Sequence, residues 1–428
     1  MNYVFTHAKL WDGKNYELTK YDANVFVKDG LIEKICFDSI IPEGYEIIDL
    51  NGKFLMPGLI NLHAHLFGTG KPSKALGGGN AQKWLMRFIH TPIGHVVVRR
   101  LVKEHALNSL NSGVTTMRSS GDFVYSDVFV RDLIKNNKAL GPRLIVPGPA
   151  ITCIHGHGDG TFAIASDDPQ VLTEYVNDHQ KQNVDYIKIC VTGGVMDAKV
   201  KGEPGLVKMT VEQTKAVCDR AHALGYHVAS HTESSKGIKV ALEGGVDTIE
   251  HGSFLDDELV QLFKDKKSAF IVTTSPALPL AKLSPEITKL NEMCVYNSEV
   301  VLDGMVEGAK RAMAEGIPVG LGTDESCPLV TSYNMWREVY QFSKLCDVSP
   351  AYAMHTATYQ NAKILKMDDV TGSIEVGKSA NMIVIDGDPL EDLKQLKNVD
   401  MVMVQGRLIK KPQVKRIDEI DQLLDSIM

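Results

Sequence analysis

LMPGLINLHAHL, residues 55–66, is an apolar run that ends in two histidines one residue apart. Seven more short apolar runs follow it: GVTTMRSS (113–120), PRLIVPGPAIT (142–152), VDYIKICVTGG (184–194), YHVASHTE (226–233), VDTIEHGS (246–253), SAFIVTTS (268–275) and IPVGLGTDES (317–326). Helical patterns fill the gaps between them. Thr210-Val-Glu-Gln213 reads as a capping box, with Val217, Ala221 and Leu224 on one face and a stop at Gly225. Asp168-Pro169 reads as an N-cap followed by proline at the first helical position. Short apolar runs alternating with helices are the signature of βα units and a parallel sheet. Eight such units predict an α/β fold of the TIM-barrel type. A doubly wound open sheet is the structural alternative.

Outward from the barrel, both ends of the chain read as β-structure. MNYVFTHAKLWDGK alternates apolar and polar residues before Asp12-Gly13. YDANVFVKDGLIEKICF carries Asp29-Gly30 between two apolar runs, a hairpin signal. IIDLNGKFLMPG, with Asn51-Gly52, reads as a second hairpin. GSIEVGKSANMIVIDGDPL and VDMVMVQGRLI give short strands and tight turns near the C-terminus. These pieces predict one small β-domain assembled from residues 1–56 and 365–428, flanking a barrel over 57–364. The final VKRIDEIDQLLDSIM predicts a docked amphipathic helix.

Composition narrows the function classes. The chain has 428 residues, 44% hydrophobic and 23% charged, which is ordinary globular usage and excludes a disordered or collagen-like chain. A net charge of −7 argues against nucleic acid or an anionic membrane as the main partner. Seven scattered cysteines without a CxxC pair read as reduced thiols. No segment reaches the roughly 18 uninterrupted apolar residues of a membrane span. The N-terminus lacks a basic segment followed by an apolar one. The expectation is a cytoplasmic protein, homo-oligomeric, acting on a small-molecule substrate.

In barrel enzymes the site lies at the C-terminal ends of the strands. The first run ends in His63-Ala64-His65, the fourth carries Lys188, the fifth ends in His231, the sixth in His251 and the eighth in Asp324. Five strands thus deliver six candidate metal ligands to one rim. Residues i and i+2 of a strand share a face, so His63 and His65 can grip one ion. Lys188, between two isoleucines, is expensive inside a barrel unless paired or neutral. It can be a snorkelling structural lysine, a Schiff-base lysine, or a neutral amine that takes up carbon dioxide to give a carbamate. The surrounding His and Asp cluster favours the carbamate, which could bridge two cations.

These motifs resemble the amidohydrolase superfamily, in its binuclear-metal branch with a carboxylated lysine. The resemblance rests on PGLINLHAHL, GVTTMRSSG, DYIKICVTGG, HTE, GVDTIEHG, GTDES and GSIEVGKSANMIVIDGDPL. It is nearest to the branch of Xaa-Pro dipeptidases and carboxypeptidase-like dipeptidases, with imidazolonepropionase as a cousin. It implies a distorted (β/α)8 barrel beside a β-sandwich built from both termini. It implies two divalent ions, zinc being the expected metal. His63, His65 and Asp324 would hold one, His231 and His251 the other, with N6-carboxylated Lys188 between them. In the segment His155-Gly-His157-Gly, His157 matches a substrate-contacting histidine; a loop histidine bonded to backbone is the bland alternative. Two positions depart from the branch. Glu233 stands where a tyrosine is common, and would favour a cationic or hydrogen-bond-donating group if it reaches the pocket. Arg118-Ser119 stands where Arg-Asp is common. Arg118 could clamp a substrate carboxylate or form a salt bridge inside the barrel.

The expected reaction is hydrolysis of an amide or peptide bond by water activated between the ions, with Asp324 as proton shuttle. A dipeptidase or carboxypeptidase-like enzyme releasing a C-terminal amino acid is the leading reading. A cyclic amide, a carbamate or an N-acyl amino acid is the alternative substrate. A non-catalytic scaffold would be marked by lost ligands, and all six positions are filled. GTGKPSKALGGGN (68–80) lacks the order of a P-loop and reads as a mobile lid. Thr192-Gly193-Gly194 reads as backbone passing close to the metals. Cys190 reads as core filler, and His90, His95, His105, His179 and His222 as surface or packing residues.

Overall fold

The computed structural model describes residues 2–18, 22–37, 41–72 and 79–428. Residues 73–78, within the stretch expected as a lid, lie outside the described residues. Both ends of the chain build one eight-stranded sheet. Tyr3–Leu10 pairs antiparallel with Ala23–Lys28, which pairs with Leu31–Cys36 across the expected Asp29-Gly30 turn. Both turn residues have positive φ, 51° and 82°, the geometry that matches the twist of a two-residue hairpin. From the other terminus, Met382–Ile385 lies antiparallel to Phe54–Pro57, and Val399–Val404 and Arg407–Ile409 extend the sheet outward.

The second expected hairpin is corrected. Glu46–Asp49 and Phe54–Pro57 do not pair with each other. Both run parallel to Tyr3–Leu10, the first beside Tyr3–Thr6 and the second beside Lys9–Leu10. The register of Tyr3–Leu10 slips between Phe5 and Ala8, where His7 has φ 53°. Asn51-Gly52, φ 48° and 80°, is therefore a jog that carries the chain past this bulge, not a reversal.

The middle of the chain is parallel sheet and helix. Leu59–Ala64, Val114–Ser119 and Arg143–Ile145 form one parallel sheet. Ala163–Ala165, Ala150–Thr152, Ile187–Cys190, Val228–Thr232, Thr248–His251, Ala269–Val272 and Val319–Leu321 form a second, in that order. Arg143–Ile145 and Ala150–Thr152 are two pieces of one expected strand. Pro147 and Pro149 between them have no N–H to donate, and the chain bends from one sheet into the other. The first and last strands are also joined. His63 O accepts from Thr323 N at 3.0 Å and Asp324 N at 2.8 Å, and His65 N donates to Glu325 O at 3.1 Å. Those bonds bring Asp324 beside the two histidines of the first strand.

Helices follow the strands with the expected caps. Thr210 and Gln213 form the capping box of Val211–Ala223, and Asp168 caps Pro169–Lys181. Helix Asp418–Asp425 docks Ile420 and Leu424 against Leu283 and Leu329. Arg337, 1% exposed, ties it down by donating to Asp421 at 2.9 Å and Asp425 at 2.7 Å. Arg337→Met should remove both bonds, each worth about 1.5–3 kcal/mol to a charged partner before solvent screening at the half-exposed Asp425. Faster amide exchange confined to Asp418–Asp425 is the expected result. Unchanged protection there would show that the apolar contacts alone hold the helix. Among the described residues, no cysteine forms a disulfide. Among the described residues, no helix is long and apolar enough to cross a membrane.

Candidate active site

His63, His65, Lys188, His231, His251 and Asp324 line one cavity of about 390 Å³, together with His157 and Glu233. Six residues from five strands meet because the parallel strands all deliver their C-terminal ends to the same side. Local backbone finishes the aim. His251 has φ 69° and Asp324 φ 53°, both in the left-handed region, where His and Asp are enriched among residues other than glycine. At His251 this turn lets two consecutive residues, Glu250 and His251, both leave the strand on the inner side. At Gly194 an added Cβ would stand 3.2 Å from His157 Cε1 and 3.5 Å from His231 Cε1, so glycine lets backbone pass under both rings.

The donors form two clusters. Asp324 Oδ1 lies 3.1 Å from His63 Nε2 and 3.4 Å from His65 Nε2. His231, His251 and Glu233 bring a second set of ligand atoms within 4.8 Å of one another. The rings are held from behind. His65 Nδ1 donates to Gly121 O at 3.0 Å, and His251 Nδ1 is hydrogen-bonded to Thr273 Oγ1 at 2.7 Å. Anchoring Nδ1 in this way leaves Nε2 to face the cavity as a ligand. Asp324 Oδ2 accepts from the Cys327 thiol at 3.2 Å.

Burial sets the charge states. It is the main reason His63 is lowered to about 4 and His65, His231 and His251 are lowered too, so the imidazoles are neutral, the form that binds metal. Burial also lowers Lys188 to about 7. Burial opposes ionisation of Asp324, but His63 and His65 outweigh it and hold the carboxyl well below its usual range. Glu233 is raised well above its usual value by burial and by the charges of Asp324 and Asp197.

The chemistry of this donor set fits two divalent ions: imidazole nitrogens with carboxylate oxygens, in two groups that share one cavity with Lys188. The buried Lys188 nitrogen and His63 Nδ1 both face Glu250 Oε2, the histidine at 3.2 Å.

Around the clusters, His157 stacks on His231 with centroids 4.1 Å apart and donates from Nδ1 to Asp197 Oδ2 at 2.5 Å. Asp197 also accepts from Gly194 N at 2.9 Å. Phe67, Phe123, Phe162, Leu280, Val301 and Met305 give the cavity apolar walls. Cys190 is buried beside Ala150 and Ala163, and also reaches the cavity. His179 is a packing residue, bonded to Pro149 O and Tyr175 O, each at 2.7 Å.

Arg118 is the site residue that sits elsewhere. It does not line the cavity. Its Nη2 donates to Glu250 Oε1 at 2.8 Å and its Nε to Leu62 O at 2.7 Å, beneath the ligand cluster. Of its two readings, the internal salt bridge is the one its position supports, because the guanidinium is already used. Two residues of the site were not read from the sequence. Glu250 had a signal, an acid inside the apolar run VDTIEHGS. Asp197 ends the short 3-10 turn Val195–Asp197 and had none.

A family model for the Amidohydrolase family matches residues 54–409. A solved structure of a Bifidobacterium longum protein assigned as a prolidase covers all of this chain and 98% of its own, with 37% identity and a TM-score of 0.87. A Xaa-Pro dipeptidase with methionine bound in its active site is 29% identical, covering 96% of this chain and 100% of its own, with a TM-score of 0.82. Imidazolonepropionase of Treponema denticola is 24% identical over 425 residues, 90% of this chain and 91% of the relative. With its ligand-bearing strand ends inside the matched span, the chain belongs to the Amidohydrolase family and is a hydrolase of C–N bonds.

Proposed function

We propose that this protein hydrolyses the amide bond of a dipeptide or N-acyl amino acid, using two divalent ions held at the mouth of a distorted (β/α)8 barrel. The barrel occupies 57–364, between the two halves of a β-domain at 1–56 and 365–428. The observation that carries the reading is the pair of clusters, His63–His65–Asp324 and His231–Glu233–His251, that share an apolar-walled cavity with Lys188. His63, His65 and Asp324 would hold one ion and His231 and His251 the other, with carboxylated Lys188 as a further ligand and zinc as the natural metal. When bound, the ions lower the pKa of water towards about 7 and polarise the scissile carbonyl.

The remaining work falls to side chains. Asp324, ionised and at the rim, takes the proton of the attacking water and returns it to the leaving nitrogen. His157, fixed by Asp197, faces the same space and stabilises charge on the carbonyl oxygen. Phe67, Phe123 and Phe162 exclude water and receive an apolar side chain. Glu233 accepts from an N–H or amine of the substrate through Oε2, which is buried without a partner.

A hydrolysis panel of dipeptides, N-acyl amino acids and cyclic amides tests the reading. Cleavage of acyclic amides with apolar side chains is expected, and turnover of cyclic amides alone would replace it by the imidazolonepropionase-like alternative. Glu233→Ala should lower kcat/KM by about 10–100-fold for substrates with a free amine, the worth of a hydrogen bond from a charged amine, and little for N-acyl ones. An equal loss on both classes would remove Glu233 from substrate recognition.

A further inference from the structure

Four buried groups from four different strands converge beneath the ligand clusters. Glu250 is 0% exposed, Lys188 and His63 1%, Arg118 4%. Glu250 Oε1 takes Arg118 Nη2 at 2.8 Å. Its Oε2 contacts Lys188 Nζ and lies 3.2 Å from His63 Nδ1. Arg118 is itself fixed by Leu62 O and lies over the Tyr186 ring, 5.4 Å from its centroid. Nothing in the mechanism above uses Glu250 or Arg118.

We propose that Glu250, held by Arg118, is a positioning residue that presents the Lys188 nitrogen for carboxylation and fixes the His63 ring for metal binding. The inference rests on the carboxylated-lysine reading of the site. Contact geometry carries the first half. Arg118 takes Glu250 Oε1, which leaves Oε2 to the Lys188 nitrogen. The N–H that a lysine nitrogen keeps after carboxylation suits that oxygen. In the covalent step the Lys188 lone pair attacks the carbon of dissolved carbon dioxide and an N–C bond forms. One N–H proton leaves to water, and the remaining N–H points at Glu250 Oε2. The new carboxylate is then directed away from Glu250, towards the His and Asp ligands. The second half follows from geometry. Glu250 on the Nδ1 side of His63 makes Nδ1 the donor and leaves Nε2, which faces Asp324, as the ligand atom.

The test uses the full chain, stripped of metal and reloaded with Zn²⁺ and ¹³C-bicarbonate. Carbon NMR reads the carbamate and elemental analysis reads bound zinc, independently of activity. In the wild type a carbamate resonance and two ions per chain are expected. Their absence there would sink the metal and carbamate reading itself. Given a positive wild type, Glu250→Gln should need at least about 10-fold more bicarbonate for half-maximal carbamate. It should bind zinc about 10–100-fold more weakly, the usual effect of losing a carboxylate behind a metal-ligating histidine. The double variant Arg118→Met/Glu250→Met, which leaves no unpaired charge, gives a folded comparison if the single variant fails to fold. Wild-type bicarbonate dependence and zinc affinity in either folded variant would overturn the proposal. So would an increase in carbamate, which would mean that Glu250 instead holds Lys188 as an ammonium.

Discussion

Asp324→Asn should lose at least about 10²-fold in kcat, the low end of what a positioned acid–base group contributes, while the fold survives. The carboxylate sits at the end of the last parallel strand with Oδ1 shared between His63 and His65 and Oδ2 accepting from Cys327. Asparagine keeps this shape and tolerates the left-handed φ of 53°, since Asn is enriched in that region. What it lacks is the negative charge that the two histidines stabilise and the basicity needed to move a proton. The melting temperature of the metal-loaded variant should therefore change little. Metal content must be measured beside the rate, because a weakened ion site adds to the loss. Near-wild-type kcat with both ions bound would mean that another group moves the proton. His157, already paired with Asp197, would be the first candidate.

The placement of Asp324 beside His63 and His65 was legible because the chemistry stands at the ends of apolar runs, and parallel strands carry their ends to one side. The runs themselves were legible because strands buried on both faces read as unbroken apolar segments. What stayed hidden depended on backbone or on partners far along the chain. Period-two alternation puts Glu250 and His251 on opposite faces, and only the φ of 69° at His251 brings both inward. Asn51-Gly52 has the dipeptide of a hairpin, yet the strands around it pair with Tyr3–Leu10 and not with each other. Ala163–Ala165, three residues beside Ala150–Thr152, is too short to leave a pattern. Arg118 was visible as a buried-strand arginine, but whether it faced substrate or protein depended on an acid 132 residues away.

That choice can be read in stability. Arg118→Met should destabilise the fold by about 3–5 kcal/mol, the cost of stranding one partner of a buried ion pair. The guanidinium donates to Glu250 and to Leu62 O, and neither acceptor is open to water, since both residues are 0% exposed. Methionine fills much of the same volume and lies comfortably over Tyr186, so the loss is electrostatic and not a cavity. Removing the charge on Glu250 as well, as in Arg118→Met/Glu250→Met, should recover much of the stability, and the difference between single and double variants isolates the pair. A substrate clamp would behave otherwise. Arg118→Met would then raise KM for carboxylate-bearing substrates and leave the melting temperature in place. Stability equal to wild type, with KM alone affected, would return Arg118 to the substrate and require its side chain to leave Glu250 when substrate binds.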